Sequence, residues 1–371
     1  MTTAPTTDPP VTEWIARMIT PSAELDAAPL FRCQFTLDED HGPVTTATLR
    51  ISAFGVFEAT LNGHPVDDDV LSPGWTSYNQ RLRYRTYDVT NLLDQTTVLG
   101  VSVGNGWYRG RLGWDGRRAL YGDQLAVIAE LEIGFDDGHR QLVTSDDTWT
   151  AGPSGVLADD LYDGQTIDAR RHDSHWQHPG ATPATWGPVT PLEFDIGRLT
   201  PYVGPPVRRQ EIRRPERIWT SPAGATLIDF GQNLVGWIRC HVRGTAGDEI
   251  TVRHAEVLEH DELGVRPLRT AQATDRFICS GDDDTFEPTF TFHGFRYAEI
   301  TGWPGEIIAD SIEAVVVHSD IRRAGWFECS DELVNQLHRN VVWGLRSNFV
   351  DVPSDCPQRD ERLGYTGDLA A

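Results

Sequence analysis

Lysine is missing from this sequence: all 32 basic residues are arginine, and 55 acidic residues outnumber them. The missing lysine reads as a compositional bias of the source genome. The shortage of positive charge says more. A net charge of −23 argues against nucleic acid and an anionic membrane as partners, since both need basic patches. Cysteine is scarce as well. Cys33, Cys240, Cys279, Cys329 and Cys356 are scattered, odd in number and without CxxC spacing. That pattern argues against a disulfide framework or a zinc site, and for buried thiols in a reducing compartment. Long apolar runs are lacking, so no membrane span is expected. The opening "MTTAPTTDPPVTEWIARMIT" has no basic stretch leading into an apolar one and does not read as a secretory signal. A cytoplasmic location is the resulting expectation.

What is present suffices for large cores. In 371 residues, 39% of them hydrophobic with 12 Trp, 14 Phe and 9 Tyr, two or three domains are expected. Strand patterning dominates from Phe31 to Trp149. "TATLRISAFGVFEATLNG" alternates apolar and polar residues and ends in Asn62-Gly63, a tight-turn pair. "QLAVIAELEIGFDDGHRQLVTSDDTW" predicts a second hairpin around Asp137-Gly138. The stretch Asp173–Pro206, rich in Pro, Gly and His, reads as a connection over the surface. From Arg217, "ATLIDFG", "GWIRCHVRG", "EITVRHAEVL" and "FTFHGFRYAEITGW" give short strands between turns, as a second sandwich would. The character changes after Gly325. Ser330 is placed as an N-cap, Asp331 and Glu332 fill a first turn, and Val334, Leu337, Val341 and Leu345 fall on one helical face. The predicted architecture is mainly β: two antiparallel, jelly-roll-like β-sandwiches and then a helix. An extension covers 1–30, the first sandwich with its connection 31–205 and the second 206–322; a new unit opens at 323.

Cofactor motifs are wanting. "GNGWYRG", Gly104–Gly110, spaces its glycines one residue too far for a dinucleotide loop and has no βαβ unit around it. No Walker loop, HExxH or GxSxG occurs. The acidic triplets Asp67–Asp69 and Asp282–Asp284 read as solvated turns rather than calcium ligands, so neither cofactor nor metal is expected. "PGWTSYNQRLRYRTYDVT", Pro73–Thr90, interleaves Trp75, Tyr78, Tyr84 and Tyr87 with arginines and suits either a sugar surface or a sandwich core. The last stretch, "DVPSDCPQRDERLGYTGD", is sharper. Asp355, Asp360, Glu361 and Asp368 stand close to Arg359 and Arg362, while Pro353, Pro357, Gly364 and Gly367 restrain the backbone. Hydrolysing a glycoside needs one carboxylic acid to protonate the leaving oxygen and a second carboxylate across the sugar. An exposed, salt-bridged loop would carry the same residues.

That stretch resembles the signature opening the catalytic domain of bacterial α-L-rhamnosidases, glycoside hydrolase family 78. The resemblance runs upstream in family order through "LSPGWTSYNQRLRYRTYDVTNLL", "GNGWYRGRLG", "DLYDGQTIDAR", "DFGQNLVGWIR", "RHAEVLE", "TFHGFRYAEITGWPGE" and "VVHSDIRRAGWFECSDELVNQL". It covers nearly everything after residue 40. It implies two sandwiches ahead of a six-hairpin α/α barrel, and inverting hydrolysis of terminal non-reducing α-L-rhamnose from a rhamnose-containing glycoside. By the same resemblance Glu361 is the general acid, and Asp355 and Arg359 bind the rhamnose hydroxyls. Tyr365 lines the subsite where the family mostly has Trp. Asp368 matches a further acidic position of the pocket, and Asp360 is counted with the substrate-binding residues and as the next candidate acid. The family's general base lies far downstream. The 371-residue chain is therefore expected to be a piece that stops at the barrel's start and is inactive alone; the alternative is a carbohydrate-binding sandwich protein without catalysis. In the complete enzyme, enclosure and Asp355, Asp360 and Asp368 are expected to raise the pKa of Glu361 against the pull of Arg359 and Arg362.

Overall fold

In the computed structural model, which describes residues 14–180 and 182–367, the alternating segments pair as their patterns require. Val44–Phe54 runs antiparallel to Ala126–Phe135, with Leu49 opposite Leu131 and Ile51 opposite Ala129. Ala47, Leu49, Ile51 and Ala53 are all buried, the two-residue period of a strand with one face on a core. Across that core lie Pro29–Thr36, Thr96–Gly104 and Val56–Leu61, paired side by side. Their Phe31, Leu61, Leu99 and Val101 meet Leu49, Leu131 and Trp149 in one cluster. Both expected hairpins form. Asn62 (φ 48°) and Gly63 (φ 79°) turn Val56–Leu61 into His64–Pro65, the left-handed pair that a two-residue hairpin turn needs. Around Asp137-Gly138, Ala126–Phe135 folds back as Arg140–Thr144.

The second sandwich is organised on one long strand, Thr226–Arg243, flanked by His293–Thr301 and Ile312–Ser319. Its register slips between Asp229 and Leu234, a bulge that bends the strand. Ile228, Phe230, Ile238, Phe277, Phe295 and Val316 fill its core.

Two features depart from the expected plan. Gly187–Pro191, inside the stretch read as surface connection, is a strand that pairs with Ile19–Pro21 and Thr150–Pro153. It is short and bounded by proline, so it shows no alternation. The hairpin of Val156–Asp160 and Gly164–Asp168 pairs parallel with Thr274–Ile278 and so enters the second sheet. Leu199–Pro201 beside Leu82–Asp88 is also parallel; both sandwiches are otherwise antiparallel among the described strands. Between the sandwiches, Tyr78, Tyr84, Trp107, Tyr108 and Tyr162 pack with Trp237, Phe290 and Phe292 in a shared aromatic cluster. Val350 and Leu363, from the acid-rich stretch near the C-terminus, pack at this junction.

The helix Glu332–Ser347 is capped by Asp331, whose carboxylate accepts from Leu333 N at 2.9 Å. The cap is one residue beyond the expected Ser330. Trp343 packs on the second core, with the Arg213 guanidinium over its ring. The apolar face read from the sequence points the other way: Val334, Leu337, Val341 and Leu345 are 40–60% exposed. Half uncovered, such side chains forgo part of the about 1.5–3 kcal/mol that full burial contributes for each. Amide exchange in the 371-residue chain is therefore expected to be fast across this helix and slow in the sandwich strands. Equal protection in helix and strands would contradict that. No described helix is long and apolar enough to cross a membrane.

Candidate active site

The acid-rich terminal stretch is pinned at several points. Phe349–Val350 pairs with Val352–Pro353, and Asp351 turns between them at φ 70°. The Asp351 carboxylate accepts from Trp75 N–H at 2.7 Å and the Tyr202 hydroxyl at 3.0 Å, and pairs with Arg83. Burial raises its pKa, against the pull of Arg83. Arg362, 2% exposed, is the second pin. Its guanidinium donates to the main-chain oxygens of Leu161 and Phe292 and, at 3.1 Å, of Arg359. It lies between the rings of Tyr162 and Phe292, at 4.8 and 4.9 Å. Gly294 lets the loop approach the second sandwich, because a Cβ there would meet Pro357 at 2.8 Å and Gln358 at 2.9 Å. Tyr162 adds a hydroxyl donated to the Glu361 carbonyl at 2.6 Å.

The stretch Pro73–Thr90 proves to be packing and anchorage. Tyr78, Tyr84 and Tyr87 are buried, Trp75 stacks parallel to Trp107, and Arg83 supplies the first pin. The three tyrosines thus belong to the sandwich core, while Trp75 is only partly buried.

On this frame Arg359 gathers carboxylates. Its Nη2 stands 3.2 Å from Asp355 Oδ2 and 3.0 Å from Glu361 Oε2. A second guanidinium arrives from the other sandwich: Arg269 Nη1 lies 3.0 Å from the same Glu361 oxygen. Burial disfavours charge on Glu361, yet the hydrogen bonds and charges of Arg359 and Arg269 outweigh it and hold the carboxyl below the ordinary glutamate value. The upward shift was expected of a complete enzyme; in this chain the arginines dominate. Arg362, expected to help lower it, is turned inward, and Arg269 takes that role.

Asp355 Oδ1 is buried without a donor. Tyr365, 37% exposed, anchors its N–H on the Pro353 carbonyl at 3.1 Å. Desolvation, then the charges of Glu361 and Asp355, push its phenol up. Asp360 does not join this group. It is 1% exposed and accepts from the Thr270 hydroxyl on the inner side, so of the two adjacent acids only Glu361 meets the arginine cluster. Asp368 lies outside the described residues. Tyr162, Arg269 and Thr270 were not among the expected site residues. Tyr162 stands in "DLYDGQ", one of the family-like segments, whereas nothing in "GVRPLRTAQ" marks Arg269.

Two clusters have the composition of metal ligands. Asp355, Cys356 and Glu361 bring their ligand atoms within 4.8 Å of one another. Arg359 already supplies both carboxylates with positive charge, and burial pushes the Cys356 thiol up to about 11, a neutral and poor ligand. His254, Asp275 and His293 are fully buried, but the imidazoles stack at 4.2 Å with planes 22° apart. Rings so nearly parallel cannot both aim a lone pair at one ion. The cluster is a hydrogen-bonded core group, with His293 Nε2 3.2 Å from Asp275 Oδ2; burial lowers His254 to about 3 and raises Asp275 to about 6. In the acidic triplets, Asp67 and Asp68 pair with Arg208, Asp69 with Arg85 and Asp283 with Arg243, and Asp284 accepts from Ser280.

The alpha-L-rhamnosidase N-terminal domain matches residues 42–211. The bacterial alpha-L-rhamnosidase concanavalin-like domain matches 220–318, and the bacterial alpha-L-rhamnosidase 6 hairpin glycosidase domain matches 322–371. The chain belongs to the α-L-rhamnosidase family. An α-L-rhamnosidase of Streptomyces avermitilis is 40% identical over 347 residues, 92% of this chain and 33% of that protein. One from Alteromonas is 36% identical over 95% of this chain and 39% of its own length. The crystal structure of an Aspergillus terreus α-L-rhamnosidase is similar at TM-score 0.92 and 43% identity, covering 96% of this chain and 42% of that one. The Streptomyces avermitilis structure complexed with L-rhamnose gives 0.89 at 39% identity, covering 92% and 33%. The chain thus spans less than half the length of these relatives.

Proposed function

We propose that these residues form the acid half of an inverting α-L-rhamnosidase. Glu361 gives its proton to the glycosidic oxygen of a terminal α-L-rhamnoside, and Asp355 and Arg359 grip the sugar hydroxyls. The bond from the anomeric carbon to that oxygen breaks. Water adds from the opposite face, its proton going to a second carboxylate. One observation carries this division of roles: the ligand oxygens of Asp355 and Glu361 lie within 4.8 Å. An inverting pair stands about 6.5–9.5 Å apart to admit the water, so Asp355 is too close to be the base. The base then belongs to the further length that the relatives possess. The relative complexed with L-rhamnose supports rhamnose as the sugar removed.

The 371-residue chain alone is expected to release no aryl alcohol from an aryl α-L-rhamnoside, whereas a protein in which a complete barrel follows it is expected to do so. Turnover by the chain alone, abolished by Glu361→Gln, would contradict this and require a second carboxylate within it. Rhamnoside binding without turnover in the barrel-bearing protein would favour the carbohydrate-binding alternative.

A further inference from the structure

We propose that Arg269, supplied by the second sandwich, is a positioning residue that clamps Glu361 in a charged resting form and sets the pH at which this loop can deliver a proton. The inference rests on Glu361 being the acid. Three observations carry it.

The first is that the contact is built. Leu268, the preceding residue, is 2% exposed in the junction core. Thr270, the following one, donates its hydroxyl to Asp360. Arg111 fixes Thr270 from the first sandwich, Nη2 to its hydroxyl at 2.6 Å and Nη1 to its carbonyl at 3.1 Å. Both neighbours of Arg269 are therefore held, one by the core and one by the acid loop itself.

The second is backbone strain. Arg269 sits at φ 58° and ψ −111°, a strained conformation that residues with a Cβ rarely adopt. Arginine occupies a place where glycine would be at ease. Its Nη1 reaches Glu361 Oε2 at 3.0 Å and the Asp360 carbonyl at 3.4 Å.

The third is the distribution of charge. The groups facing Glu361 are Arg359, Asp355, Cys356 and Tyr365 on its own loop and Arg269 on the sandwich. Arg362 is turned away and Tyr162 touches only the Glu361 carbonyl. Arg359 divides its charge between Asp355 and Glu361. Among the described ion pairs, Arg269 has Glu361 alone. Its side chain is 48% exposed, so an incoming glycoside that displaces it takes a cation away from the acid. Glu361 then loses a neighbouring cation, its affinity for a proton rises, and the acid form is made where it is needed.

The sign is fixed. Removing a cation beside a carboxylate raises its pKa, and an acid that acts while protonated then works to higher pH. The test is a carbon-13 carboxyl titration of Glu361 by NMR in the 371-residue chain. Arg269→Gln should move the midpoint upward, and Arg269→Lys should keep it near the wild type, with the sandwich resonances unchanged in both. Superimposable wild-type and Arg269→Gln titrations would overturn the clamp. In the barrel-bearing protein, Arg269→Gln should also carry the basic limb of kcat/KM to higher pH while sparing the rate at acid pH. A titration that moves while that limb stays put would support the clamp but overturn Glu361 as the acid.

Discussion

Replacing Arg83 by leucine is expected to destabilise the 371-residue chain by about 3–5 kcal/mol, the usual cost of stranding one member of a buried ion pair. The Asp351 side chain is 1% exposed and that of Arg83 17%, so water cannot take over the lost charge. Trp75 N–H and the Tyr202 hydroxyl would remain, but neither is cationic. Adding Asp351→Asn should restore most of the loss, because removing both charges relieves the stranded one, and asparagine tolerates the left-handed turn at this position. Urea unfolding of the single and double variants measures both effects. A double variant as unstable as Arg83→Leu would mean that the pair is not what joins the first sandwich to the loop.

The second large effect concerns chemistry. In a protein that carries this chain with a complete barrel, Glu361→Gln should lower turnover of rhamnosides with poor leaving groups by about 10²–10⁴-fold, the typical contribution of a positioned acid. Affinity for rhamnose should change little. Asp355 and Arg359 keep each other in place at 3.2 Å, and the glutamine preserves the shape beside them. Steady-state kinetics together with equilibrium rhamnose binding separate the two. A loss that falls mainly on binding would make Glu361 a sugar-binding group.

Local features were legible in the sequence. Asn62-Gly63 and Asp137-Gly138 mark hairpins because the turn itself demands their backbone freedom. The helix announced itself through Val334, Leu337, Val341 and Leu345, although its cap is Asp331, read as a first-turn acid, and not Ser330; serine and aspartate both cap well, and backbone geometry decides between them. Gly187–Pro191 was hidden because a short proline-bounded strand has no period. The cross-sandwich pairing of Gly164–Asp168 with Thr274–Ile278 was hidden because pairing over such a separation leaves no mark in either segment. The site divides in the same way. Asp355, Arg359 and Glu361 are neighbours in sequence and stay so in space. Arg269 and Tyr162 reach Glu361 across 92 and 199 residues, distances over which only the folded chain reports. Asp360 stands beside Glu361 in sequence as the next candidate acid, and the Thr270 hydroxyl beneath the loop holds it apart from the arginines.

Whether Glu361 delivers the proton is tested most directly by how its loss depends on the leaving group. Wild-type and Glu361→Gln forms of the barrel-bearing protein would be compared on alkyl and dinitrophenyl α-L-rhamnosides. A departing alkoxide needs protonation and a dinitrophenolate does not, so the substitution should cripple the first reaction and largely spare the second. Equal losses on both substrates would contradict the assignment and pass the acid's role to another carboxyl group.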